Sequence, residues 1–491
     1  MKRKLSILLI GFLFGIQAYS QDNIFLKREF WDTKPSIETI DLKIKEGNDI
    51  AEANANNFDG VVYAILQEAP NSTIEYAISK EGNDVNKLTH DGRTYIFWAA
   101  YKGNVELMQH LISKGAKTNL TDDKGSTIMN FAASSGQKNT KVYDVCLVNG
   151  ADLKKDLTPY GANALLLAAP FDTDFSLINY FTSKGLDLNS IDADGNGIFN
   201  YVAKTGNITL LNQLLEKGVK FNDNAMILAS QGTRSSTNSL EFFQYLEGLG
   251  IKPNVVSKDG TTALHALASR SKDVKLLSYF IEKDADINQA DSNGTTAFMN
   301  AANRNSLEVV TFLSSNVKDI NAKNNKGETA LSLAVANNTP EVVAFLIGKN
   351  ADVKVLDNNG NHLGYYLLQS YNSKNTDAFE AKLRLLQSKG LDITLAQKDG
   401  NTLYHLALNN NDLELLKRVQ PFKIDVNAKN NEGLTPLHIA AMKASDTEVL
   451  KYLISMGADK KITTDFEETV YDLASENELL SQKNISIEFL K

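Results

Sequence analysis

The chain has one cysteine, Cys146, so no disulfide can form within it and its stability must come from packing. Only 8 prolines occur in 491 residues, which argues for much helix and few rigid linkers. No Gly/Ser or Pro tract separates blocks of sequence, and aromatics stop at 8%. No block of Lys or Arg follows residue 20, and the net charge is −8. A phosphate backbone would be repelled with nothing local to offset it, so nucleic acid is not an expected partner. The same sign disfavours adhesion to anionic membrane surfaces. There is no Gly-rich phosphate loop, no nucleophile elbow and no Cys/His pairing, and no cofactor is expected. What is there, 43% hydrophobic and 22% charged residues, belongs to a folded soluble protein.

The first twenty residues read as an export signal. Lys2, Arg3 and Lys4 form a basic start, Leu5 to Ile16 an apolar stretch, and Ala18-Tyr19-Ser20 offers small residues at a cleavage site. The stretch is too short to span a bilayer of roughly 30 Å as a helix. Cleavage would take the net charge from −8 to −11 and leave no membrane span. The expected location is periplasmic or secreted. Cys146 lies in Lys141–Leu147, an amphipathic stretch where a buried core thiol is expected.

Self-similarity organises the rest. A glycine after a polar turn, followed by a small or hydroxyl residue and an apolar pair, recurs at Gly60, Gly92, Gly125, Gly161, Gly195, Gly260, Gly294, Gly327, Gly360, Gly400 and Gly433. Spacings run from 32 to 40, with one of 65 that fits two repeats, the second without its glycine near Asn222 to Asn224. A last unit begins at Asp465-Phe466, where Phe is read as replacing the glycine. About twelve or thirteen units result. Residues 293 to 325 show the physics of one. Asn293-Gly294 turns, Thr296 caps a helix with Phe298, Ala301 and Ala302 inward, and Leu307, Val309, Val310, Phe312 and Leu313 stripe a second helix. Asp319-Ile320-Asn321 leads to the next turn. Such short helices are marginal alone, so each unit must bury its face on its neighbours.

These residues closely resemble the ankyrin repeat family, in the form of an exported bacterial member. Gly433-Leu434-Thr435-Pro436-Leu437-His438-Ile439-Ala440-Ala441 carries the family's G-x-T-P-L-H-x-A-A pattern in full. Gly260 to Ala268 and Gly400 to Ala407 match with one or two changes, and Asn149-Gly150-Ala151-Asp152 and Met456-Gly457-Ala458-Asp459 look like its G-A-D-V-N return. The resemblance covers roughly residues 30 to 475. It implies an all-α, ankyrin-type helix-turn-helix solenoid with short β-hairpin-like turns between repeats. The expected organisation is a signal at 1–20, the solenoid at 21–475 and a C-terminal cap at 476–491, with atypical ends at Asn23 to Asn48 and Glu467 to Lys491. Four polar loops, Ser134 to Thr140, Pro170 to Asp174, Gly232 to Asn238 and Tyr371 to Asp377, push the second helix of a unit away from the first. They are read as drift in surface loops or as binding insertions.

Six histidines invite a search for chemistry. At His265, His405 and His438 the resemblance implies a structural imidazole bonding within the turn, and one per repeat keeps them from converging on a metal. His90, His110 and His362 have no partner at ligand spacing. Asp192-Ala193-Asp194-Gly195-Asn196-Gly197 reads like half a calcium loop, but the twelfth position that needs a bidentate acid holds Ala203. No metal site is expected. The paired acids Glu467-Glu468 read as solvated charge.

What remains is surface. In the family the hairpin tips and the exposed positions of the first helix line a concave groove and contact partners, and the resemblance maps those positions onto Arg93, Tyr101, Lys102, Ser269, Arg270, Asn303, Arg304, Asn337, Asn410, Met442 and Lys443. The expected function is non-enzymatic binding of a protein or peptide by a monomer. The alternatives are an exported effector or inhibitor that covers its target, and, more remotely, an enzyme with its site in the degenerate repeats.

Overall fold

The computed structural model describes residues 23–233, 236–410 and 412–491, so the signal read at 1–20 lies outside the described residues. Among them stand 28 α-helices of five to twelve residues and six 3₁₀ segments, and the strand-like pairing is confined to isolated bridges such as Thr121–Thr127 and Ala290–Thr296. The all-α architecture with hairpin-like turns is as expected. The described residues separate into two compact units, the first made of those up to 202 with 209–221, the second of 203–208 with those from 222 onward.

The first unit opens with the short helices Arg28–Asp32 and Ile37–Lys45, followed by the pairs Gly60–Leu66 with Asn71–Ile78, Tyr95–Lys102 with Val105–Ser113, Ile128–Ser134 with Thr140–Val148, and Ala164–Ala168 with Ser176–Ser183. The second unit holds eight pairs, from Asn224–Gln231 with Leu240–Gly248 to Val470–Ser475 with Glu478–Gln482. Within a pair the two helices differ in character for a packing reason. The first is covered by both neighbouring repeats and by its own partner, so Pro436, Leu437, His438, Ile439, Ala440 and Ala441 are all buried. Small alanines such as Ala268, Ala301 and Ala302, each fully buried, let these helices approach closely. The second helix is amphipathic: Val309, Val310 and Leu313 are buried while Leu307 is half exposed.

Within each unit, backbone and side-chain hydrogen bonds fasten neighbouring repeats together. At the turn tips, Asn325 N donates to Asn293 O at 2.8 Å and Asn358 N to Lys326 O at 2.9 Å; in the first unit Asp123 N donates to Asp91 O at 2.9 Å. The asparagine of the return segment makes a second link. Asn427 Nδ2 donates to Gly457 O at 3.0 Å while its Oδ1 accepts from Asp459 N at 2.8 Å, and Asn86, Asn288 and Asn321 repeat the pattern. A third link comes from the residue just after the first helix. Asn305 Nδ2 donates to Ala268 O and Ser271 O at 2.8 Å, Asn338 to Ala302 O and Asn305 O, and Asn477 to Ala441 O and Ala444 O. Backbone groups at helix ends that have no intrahelical partner are thereby satisfied across repeats.

Two turn assignments are corrected. Gly60 is the first residue of its helix, capped by Asp59, and the positive φ of that turn falls on Asn57 at 60°. Gly60 is instead needed for space, since a Cβ there would lie 3.1 Å from Phe25 Cβ. In the last repeat the glycine's place is taken by Glu467, at φ 64°, not by Phe466. The register follows from the bonds Thr464 N to Glu468 O and Glu467 N to Thr464 O, which match Asn430 N to Leu434 O and Gly433 N to Asn430 O.

Candidate protein-binding surface

At the C-terminal ends of several first helices the last side chain turns outward. The positions equivalent to Asn303 and Arg304 recur once per repeat, as Tyr101-Lys102, Ser269-Arg270, Ala336-Asn337 and Met442-Lys443. Tyr101 and Met442 are each 40% exposed, and Arg270, Arg304, Asn337 and Lys443 are exposed. Ser269, Asn303 and Lys102 are half-buried. Asn410 ends a 3₁₀ segment, and its side chain lies outside what the structure describes.

Several of these side chains also bridge repeats. Lys102 Nζ meets Glu68 Oε1 at 2.5 Å, Asn337 Nδ2 donates to Asn303 Oδ1 at 2.8 Å, and Lys443 Nζ donates to Asn409 Oδ1 at 3.0 Å. Arg270 donates to the carbonyls of Gln231 and Thr233. Tyr101 stacks on Phe131 with ring centroids 6.0 Å apart.

Arg93 departs from the expected exposure. It is 7% exposed, its Nε and one terminal nitrogen donate to Asp122 Oδ2 at 3.0 and 2.8 Å, and its other nitrogen lies 3.1 Å from Asp91 Oδ2. Its guanidinium sits 4.1 Å over the Phe131 ring. A residue following the turn glycine lies between its own turn and the next, where two aspartates and an aromatic face enclose the cation. Arg93 is part of the packing between repeats.

Two of the four inter-helix loops are anchored to the fold. Gln137 Nε2 donates to Ala100 O and Tyr101 O at 3.1 and 2.9 Å, and Asn139 Nδ2 reaches Gly103 O at 3.2 Å. Asp172 is buried and its Oδ2 accepts from Ile178 N at 2.8 Å, capping the following helix. The loop at 232–238 includes residues outside the described set.

The buried titratable groups serve the fold as well. Thr435 caps its helix, His438 Nδ1 accepts from Thr435 N at 3.0 Å, and His438 Nε2 donates to Ile462 O of the next repeat at 2.9 Å. His265 and His405 repeat this with Thr295 O and Leu434 O. Burial holds all three imidazoles below their usual range, in the neutral form that can accept at Nδ1. His362 has a partner the sequence did not reveal: as N-cap it accepts from Gly364 N at 3.0 Å and donates to Leu395 O at 3.0 Å. At the histidine's position in another repeat stands Asn130, which donates to Asp156 O at 2.8 Å and leaves its Oδ1 without a protein partner. The calcium-like turn is occupied by itself, since Asp192 Oδ1 accepts from Asp194 N and Asn196 N, and its Oδ2 from Tyr201 Oη and Asn196 Nδ2. Cys146 is buried and burial pushes its thiol up to about 12, which makes it an inert core group.

One buried cation was missed. Lys382 is 3% exposed and donates to Val335 O at 2.8 Å. That carbonyl is the equivalent of Ala268 O and Ala302 O, which asparagines satisfy in the preceding repeats. Here the inserted loop displaces the asparagine and a lysine of the helix Asp377–Ser388 takes its place. A signal existed: Phe379, Lys382, Leu383 and Leu386 share one helical face, with the lysine on the apolar stripe. Among the described residues no three or more His, Cys, Asp or Glu are grouped to hold a metal ion, and no helix is long and apolar enough to cross a membrane.

Comparison with known proteins agrees with this geometry. A family model described as ankyrin repeats in three copies matches residues 61–156, 226–324, 267–357, 298–380 and 367–464. The chain is similar to a palmitoyltransferase of Saccharomyces cerevisiae, 33% identical over 27% of this chain and 16% of that protein. It is also similar to the human protein phosphatase 1 regulatory subunit 27, 29% identical over 18% of this chain and 58% of that protein. A fowlpox virus ankyrin repeat protein is 28% identical over 28% of this chain and 20% of its own length. The chain thus spans less than two thirds of the length of each of these relatives. With repeat motifs, repeat packing and a family model all in register, the chain belongs to the ankyrin repeat family.

Proposed function

We propose that this chain is a non-enzymatic scaffold, exported to the periplasm or beyond the cell, that holds a protein or peptide partner along the first-helix ends and neighbouring turn tips. One observation carries the reading. At one and the same position of the repeat the second unit carries Arg270, Arg304 and Lys443, the last beside the exposed apolar Met442, although the chain's net charge is −8. Exposed cations beside an exposed methionine suit an acidic, partly apolar protein face, and in the first unit, taken by itself, the half-buried Lys102 stands beside the exposed Tyr101. The likeness to a phosphatase regulatory subunit, a protein named as part of an assembly, supports a binding role. Export rests on the basic start, apolar stretch and small-residue site of residues 1–20.

A photo-cross-linking residue placed at Arg304 or Met442 should trap a partner in the native compartment, and Arg270→Glu with Arg304→Glu should abolish the adduct. Equal trapping from Glu308, on the outer face of a second helix, would defeat the reading. N-terminal sequencing of the protein from cell fractions should start after Ser20; recovery of an intact N-terminus in the cytoplasm would defeat the exported part.

A further inference from the structure

The interval between Gly360 and Gly400, 40 residues, is the longest between consecutive repeats that keep their glycine, and a cleft of about 500 Å³ lies beside it. That falls within the roughly 300–1,000 Å³ typical of sites for small ligands. Its apolar wall is formed by Leu356, Leu391 and Leu395, and Leu356 and Leu395 are 48% and 57% exposed. One side is rigid, because His362 is tied at both ring nitrogens to Gly364 N and Leu395 O. Three charges stand on the rim, Lys354, Lys398 and Asp392. Asp392 Oδ1 accepts from Thr394 N and Oγ1 at 2.9 and 2.7 Å, so that oxygen is engaged in its own turn, and the two lysines outnumber this one carboxylate on the rim. Lys354 and Lys398 are exposed and form no ion pair among the described residues. Two unpaired cations beside bare leucines, on a chain of net charge −8, select an aliphatic group that ends in an anion.

We propose that this cleft receives the C-terminal aliphatic residue of a partner polypeptide, its side chain against Leu356 and Leu395 and its α-carboxylate facing Lys354 and Lys398. The proposal rests on the protein-binding reading above and names a second point of contact, away from the first-helix ends. A chain terminus presents an apolar side chain and a carboxylate on one residue, which is the pairing the cleft offers.

The test uses the full chain and a fluorescent Gly-Ser-Leu-Leu peptide with a free C-terminus, titrated by anisotropy. Its C-terminal amide and laurate serve as comparison ligands. The acid should bind about tenfold more tightly than the amide, the size of one charge-assisted contact. Lys354→Glu with Lys398→Glu should remove that preference, and Leu395→Ser should weaken both peptides. All three positions are exposed, and circular dichroism checks that the variants fold. Absent binding of the acid, equal affinity for acid and amide, indifference to the lysine changes, or tighter binding of laurate than of peptide would each overturn the proposal. Photo-trapping from Arg304 in the double-lysine variant separates the two ideas: if the partner is still captured while the peptide is not bound, the cleft fails and the scaffold stands.

Discussion

At the scale of single residues, the histidines show how a group that looks catalytic becomes structural. The neutral ring joins a capping turn to the next repeat, and protonating Nδ1 would break the bond from the N-cap N–H. With the folded pKa held below the usual 6.5, the unfolded chain takes up protons first as acid is added. This contribution is complete above about pH 6.5 and is lost as pH falls through the lowered values. A His405→Gln, His438→Gln variant should therefore be less stable at pH 7.5, by about 1–3 kcal/mol per lost capping interaction. Its urea midpoint should also fall less than the parent's between pH 7.5 and 5.5, and parallel pH profiles would count against this account. Lys382 titrates at the other end. Burial pulls its ammonium down to about 8, below the usual 10.5, so the unfolded chain binds the proton more readily between those values. Stability should rise with pH across that window, and Lys382→Met should flatten the rise in urea midpoints measured from pH 7.5 to 10.

At the scale of elements, each helix end depends on the next repeat. Asn305→Ala would leave Ala268 O and Ser271 O without their side-chain donor and should cost about 2 kcal/mol in urea unfolding. An unchanged midpoint would mean that water replaces the amide. At the turn, Gly294 sits at φ 74°, and a Cβ would come within 2.9 Å of Asn325 N in the neighbouring tip. Gly294→Ala should cost roughly 1–2 kcal/mol from backbone strain alone. Gly457→Ala, at φ 97° with nothing within 4 Å, tests strain without the clash. The larger loss is expected at Gly294.

At the scale of the molecule, a chain of mutually covering repeats should tolerate loss of one. Deletion of residues 294 to 326 should leave a shorter, helical, monomeric protein by circular dichroism and size exclusion, because the flanking repeats present matching faces and the same polar links. Collapse to an unfolded chain would contradict that. The repeat was legible in residues 293 to 325 alone: the turn glycine, the Thr296 cap and the inward alanines stand where the spacing put them, and of the second-helix stripe Val309, Val310 and Leu313 are buried while Leu307 faces outward. So was the structural role of His438. The sequence by itself determined period, helix pairing and buried stripe, because these follow from local turn chemistry and from apolar spacing along one segment. It did not determine which polar residues reach sideways. Arg93 looked like surface until Asp122 and Phe131 of the next repeat enclosed it, Lys382 took over an asparagine's carbonyl, and Glu467 rather than Phe466 held the last turn's positive φ. Each of those outcomes depends on a partner some thirty or more residues away or on the register of a turn, and only the packed tertiary structure brings such partners within hydrogen-bonding distance.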